Sequence, residues 1–170
     1  MFARARHIAV LLAAFAVNFG LDRLTKSLAV AYLRRTDGFS LLRGSVVVRF
    51  AENSGAFLSL GSGWPVWLKY AVLLAGPALI CIYGLYHCAF KEPDTVRVAF
   101  LATVIAGGLG NLVDRAFNDF AVVDFLNFGI GSLRTGVLNV ADLSITFGAV
   151  AYLMRDRAAR RRDGLAGGDR

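Results

Sequence analysis

Two acids in apolar company are the residues of this chain best suited to chemistry. Asp124 stands in "VVDF" and Asp142 in "NVAD", and neither has a basic residue within a helical turn of it in sequence. Like charges brought to one site cannot both ionise cheaply, so such a pair holds one proton between its members. The ionised member can draw a proton from water while the protonated one supplies a leaving amine. The two titrate as a unit. No metal or other cofactor is expected, because His7 and His87 have no Cys or carboxylate partner at ligand spacing. No Ser–His or Cys–His constellation competes, since the histidines fall on or near the opposite side from the acids.

Other polar residues recur around the pair. "LDRLTK" sets Asp22 and Lys26 one turn apart, "GGLGNLVDR" sets Asn111, Asp114 and Arg115 at i, i+3 and i+4, and Asn139 precedes Asp142 by three. Each has a plainer reading. Asp22 with Lys26 serves equally well as an intrahelical ion pair. Asp114 and Arg115 can cap and anchor a helix end, and Asn139 can be a helix N-cap. Gly107, Gly108 and Gly110 suit close helix approach.

The elements that must carry these residues are membrane spans. The chain is 56% apolar and 18% charged, whereas soluble domains sit nearer 45–50% and about 25%. Four stretches are long and apolar enough to cross a bilayer, at about 8–32, 67–88, 96–117 and 137–154, the last barely. The first has the basic start of a cleavable signal but resumes its apolar pattern as "SLAVAYL", and so reads as a retained helix. The spans form one domain over 1–154. Residues 33–66 are the outer connection, with "SVVVRF" as a short strand and Trp64 and Trp67 at the headgroup boundary. The "VVDFLNF" segment is an outer loop. Residues 155–170 are a disordered basic tail. Cys81 and Cys88 sit in one span and read as packing residues.

Four spans put both ends on one side. Ten basic residues then face the cytoplasm against seven outside, a bias supplied mainly by the tail arginines. The net charge of +7 is thereby assigned to topology and lipid headgroups rather than nucleic acid. With this topology the intramembrane polar groups fall at one depth near the outer face, and the cytoplasmic half is expected to be dry. A charge at a span centre costs about 2.5–3.5 kcal/mol even on the lenient scale, so the convergence reads as a site. A proton-coupled transporter or channel would string ionisable groups through the depth. A noncatalytic assembly or chaperone subunit would use them as helix glue.

In the order "LDRLTK", "ENSGAF", "GGLGNLVDR", "VVDF", "NVAD", the chain resembles the bacterial lipoprotein signal peptidases, the type II signal peptidases, over nearly its whole length. The resemblance implies an all-α membrane protein of four transmembrane helices with a small extramembrane β element on the periplasmic side. It implies an intramembrane aspartic endopeptidase of the bacterial inner membrane, with both termini cytoplasmic and the active site near the periplasmic face. Its substrates would be prolipoproteins bearing diacylglyceryl-cysteine, cut just before that cysteine, and its partners membrane lipids; we expect a monomer. Asp124 and Asp142 match the catalytic pair, and Asp22, Lys26, Asn53, Gly55, Gly108, Asn111, Asp114, Arg115 and Asn139 match supporting or substrate-binding positions. Phe57, Leu58 and Leu138 depart from the family pattern around the pocket. The three asparagines are expected to orient the substrate backbone and the acids, and "SVVVRF" to cradle an extended peptide.

Overall fold

From Phe2 to Tyr32 the chain carries no proline, and it forms one helix of 31 residues, α1. At 1.5 Å per residue this outreaches a hydrocarbon core of about 30 Å. The computed structural model describes residues 2–55 and 60–167. Phe57 and Leu58 lie outside the described residues.

The second rod starts behind Pro65 and comprises α2 (Val66–Lys69), a π-helical stretch (Tyr70–Ala75) and α3 (Gly76–Phe90). Pro77 has no N–H to return to the carbonyl of Leu73, and the helix widens just before it. α4 (Thr95–Phe117) starts at Asp94, whose carboxylate accepts the Val96 amide at 2.8 Å. α5 runs Val140–Gly167.

α4 is the centre of the bundle and packs on α1, α3 and α5. Val98, Ala102, Ile105 and Leu112 recur at helical spacing along its buried face. With Cys81 and Cys88 of α3, three of these, Val98, Ile105 and Leu112, form the apolar core; the two thiols are free, as packing residues should be. Outward faces carry Leu12, Val17, Ile80, Ile82 and Phe147, all exposed. Among the described residues, three helical segments are long and apolar enough to cross a membrane: Arg4–Tyr32, Val66–Phe90 and Thr95–Phe117. α5 is not among them, because Asp142 and Arg155 bound its apolar stretch closely.

A four-stranded antiparallel sheet closes one end, in the order β1 (Phe39–Leu41), β2 (Val46–Asn53), β3 (Val122–Ile130), β4 (Leu133–Leu138). The expected β region of 33–66 supplies only half of it. "VVDFLNF", expected as a loop, is β3, pairing Ala51 with Asp124 and Asn53 with Val122. Its β-branched and aromatic residues favour a strand, and its partner lies too far back in sequence to be read locally. β4 also takes Val137 and Leu138, so the fourth helix starts at Val140, not 137. The tail expected to be disordered continues α5 to Gly167. Ala and Arg there are good helix formers, and Arg160 pairs with Asp156 one turn away at 2.8 Å.

Candidate active site

Where β4 hands over to α5, Asn139 and Asp142 cap one another. The Asn139 side-chain oxygen accepts the Asp142 amide at 2.9 Å, and Asp142 Oδ2 accepts the Asn139 amide at 3.2 Å. This is a reciprocal capping box, so the plain reading of Asn139 as a cap holds. The residue does more. Its Nδ2 donates to Asp124 Oδ1 at 2.6 Å, to Asn111 Oδ1 at 3.1 Å and to the Val123 carbonyl at 3.3 Å. β3 delivers Asp124, 3% exposed, to this point. The two sequence-selected acids therefore share one asparagine.

Asn111 of α4 completes the link. Its Nδ2 donates to Asp142 Oδ1 at 2.9 Å, while its Oδ1 accepts the Lys26 ammonium at 2.8 Å. Lys26 also pairs with Asp114 at 2.8 Å and with Asp22 at 3.1 Å. The intrahelical pair read from sequence thus exists, within a larger cage tying α1 to α4. Asp22, 0% exposed, reaches across to accept the Ala141 amide at 3.0 Å, holding the start of α5. Asp114 accepts the Val123 amide at 3.2 Å, holding β3. Each cage carboxylate positions the backbone beside one member of the acid pair.

Asn53 accepts the Gly55 amide at 3.1 Å, and its side-chain amide faces Asp124. Arg115 donates to the Gly55 carbonyl at 2.9 Å, and its guanidinium faces the charges of Asp142, Asp124 and Asp114. It is a loop anchor beside the acids. Gly108 is placed elsewhere: a methyl there would lie 2.9 Å from the Cys81 sulfur, so it admits α3 rather than serving the pair. The glycine pressed against the site is Gly110, where a methyl would collide with Asp22. Leu138 ends β4 opposite Leu126.

Burial first, and then the neighbouring charge of Asp142, push the Asp124 carboxyl up to about 7, against the opposing pull of the Asn139 and Asn53 amides and Lys26. The acid is thus set to hold a proton near neutrality. Among the described residues no cluster of three or more His, Cys, Asp or Glu converges as a metal site would require.

Several further polar residues take part. Arg23 pairs with Asp22 at 2.8 Å and Asp114 at 2.7 Å; lying next to Asp22 in "LDRLTK", it was open to notice. Asn18 bonds Thr103 at 3.3 Å and Ser144 at 3.1 Å in the middle of the bundle. At the far end Glu92, Asp94, Arg97, Arg155 and Asp156 form ion pairs. Those ion pairs sit at or beyond the span ends, but Asn18 places polar contacts in mid-bundle, so depth alone does not exclude a relay.

The comparison with known proteins decides what depth does not. The profile of the family described as signal peptidase (SPase) II matches residues 14–156. The chain belongs to the signal peptidase II family. It is 32% identical over 146 residues to the lipoprotein signal peptidase of Borreliella afzelii (strain PKo), covering 83% of this chain and 85% of the relative. With the lipoprotein signal peptidase of Treponema denticola it shares 34% over 133 residues, covering 75% and 76%. A bacterial membrane enzyme solved by the in meso method at 2.3 Å resolution superposes with a TM-score of 0.77 at 22% identity, over 87% of each chain. That last likeness is one of fold. The chain is accordingly a protease of the signal peptidase II family and a membrane protein.

Proposed function

We propose that this protein removes the signal peptide from diacylglyceryl-modified prolipoproteins, cutting just before the lipidated cysteine by acid-pair activation of water. The observation that carries the reading is the single residue, Asn139, bonded to both Asp124 and Asp142. Asp142 keeps two donors on its oxygens, the Asn111 amide and the Asn139 main chain, which fix its carboxylate beside Asp124. It takes a proton from water as the water oxygen bonds to the scissile carbonyl carbon. Asp124 gives its proton to the departing nitrogen as the C–N bond breaks. Asp142 then holds the proton and Asp124 the charge, and exchange of one proton restores the pair.

Asn111 and Asn139, their amides committed inside the site, orient the acids. Asn53 is left to meet substrate amides freed from helical pairing, which need partners at the membrane edge. β2 offers an extended peptide its neighbourhood, and Arg115 holds the Gly55 end of the adjoining loop. Asp22, Lys26 and Asp114 position the acids rather than touch substrate.

In this reading α5 makes a fourth crossing through about 140–154, beside α4, within a single peptidase domain over 1–154. Both termini are cytoplasmic in the bacterial inner membrane, the sheet and acid pair face the periplasm, and the enzyme works as a monomer without a metal. A substrate anchored by lipid reaches such a site by lateral diffusion. The test uses purified full-length protein and one precursor prepared with and without the diacylglyceryl group. Cleavage before the cysteine of the lipidated form alone, read by mass spectrometry, is expected. Equal cleavage of both forms, or cleavage elsewhere, overturns the reading.

A further inference from the structure

At the bundle end away from the acid pair, α1 begins, α3 turns into α4, and the polar half of α5 starts. The acids there are already satisfied inside the protein. Glu92, buried, lies 3.0 Å from Arg97; Asp94 receives Arg155 at 2.8 Å; Asp156 receives Arg97 at 2.9 Å and Arg160 at 2.8 Å. The cations on the α1 side are not matched in this way. Among the described residues Arg4, Arg6 and Lys91 have no carboxylate at ion-pair distance. Arg4 is stacked over the Phe90 ring at 5.4 Å, and Arg6 is held by the Thr95 hydroxyl at 3.3 Å.

Between α1 and the α3–α4 turn lies a cavity of about 340 Å³ lined by Arg4, His7, Phe90, Lys91 and Glu92. His7 Nε2 is enclosed there with no hydrogen-bond partner among the described residues. Two unmatched cations and an enclosed ring nitrogen around one cavity suit a compact anion. The apolar faces of α1 and α3 run from the cavity toward the bilayer, with Phe90 and Ile8 exposed beside it, so the anion best fitted carries acyl chains. We propose that this cavity binds the phosphate of an anionic phospholipid, with Arg4 and Lys91 on its oxygens and His7 Nε2–H donating a hydrogen bond. Basic pockets between helices at a membrane surface recognise headgroups in this way. The inference requires only that α1 and α3 lie in a bilayer, and it stands apart from the peptidase reading.

The test takes purified full-length protein in detergent, titrated with palmitoyl-oleoyl phosphatidylglycerol or the matching phosphatidylcholine, with bound lipid counted by native mass spectrometry. Phosphatidylglycerol is expected to bind the more tightly. The Arg4→Gln/Lys91→Gln pair should weaken it about tenfold or more, since a cation at an anionic surface contributes roughly fivefold. Arg4→Lys/Lys91→Arg should keep the preference, separating loss of charge from loss of fold, and Arg160→Gln/Arg161→Gln should leave it unchanged. Equal affinity for the two lipids, or undiminished phosphatidylglycerol binding by the Gln pair, overturns the proposal. Displacement of the lipid by millimolar inorganic phosphate also overturns it, by showing a site for the free ion.

Discussion

The side-chain amide of Asn139 lies 2.6 Å from Oδ1 of Asp124. Because the same residue caps α5 through Asp142, the mutual placement of the two acids rests on one side chain. Asn139→Ala removes the cap and the amide donor together and should cost about 1–3 kcal/mol of stability. Asn139→Ser keeps a capping oxygen but not the donor to Asp124. Thermal unfolding should therefore distinguish Ala from Ser, while cleavage falls about 100-fold or more in both.

The pH dependence has a definite sign. The Asp124 carboxyl is raised from 3.8 to about 7 by burial and then by Asp142, so it sheds its proton as pH climbs through about 7. Cleavage should decline above that point as the proton donor is lost. Between about 4 and 7 the folded chain binds more protons than the unfolded one, so stability falls with rising pH. In Asp124→Asn that fall should be absent or much reduced, which denaturant unfolding at pH 5 and pH 8 measures directly.

Lys26 is nearly enclosed and serves Asp22, Asp114 and Asn111 at once. Lys26→Met should destabilise by about 3–5 kcal/mol, because it leaves buried carboxylates short of a partner. Arg23→Gln should be milder, since the Arg23 side chain is 28% exposed and its pairs are partly screened by solvent. Chemical unfolding of both variants in detergent checks the order.

Helix approach is tested at Gly148, where a methyl would sit 2.7 Å from the Phe100 carbonyl. Gly148→Leu should separate α5 from α4 and cost on the order of 1–3 kcal/mol. Gly20 has open space around its α-carbon. Gly20→Ala should therefore be neutral or stabilising by up to about 1 kcal/mol. Equal unfolding midpoints for the two variants would contradict the packing described here.

Much of the site is legible in the sequence because membrane-embedded charges are costly. Asp124 and Asp142 stand out among apolar neighbours, and Lys26 one turn from Asp22 declares its partner. Arg23 does not, since its reach to Asp114 crosses between helices and depends on how α1 rotates against α4. β3 escapes for a related reason: its pairing partner Ala51 lies far earlier in the chain, and an acid in the middle of "VVDFLNF" breaks strand alternation. The glycines illustrate the same limit. Gly107, Gly108 and Gly110 are equivalent as small residues in sequence, and only the packed bundle sends Gly110 to Asp22 and Gly108 to Cys81. The Arg-rich tail is helical because local propensity and the Asp156–Arg160 pair act where no packing is required.

The most direct measurement is turnover of a lipidated precursor by Asp124→Asn and Asp142→Asn, each shown to be folded by its unfolding profile. Both substitutions keep side-chain volume and an oxygen acceptor, so the asparagine link can persist while acid–base chemistry cannot. The account predicts a fall of about 1,000-fold or more in kcat for either variant, with little change in precursor affinity. Turnover within a few-fold of wild type in either one would contradict it.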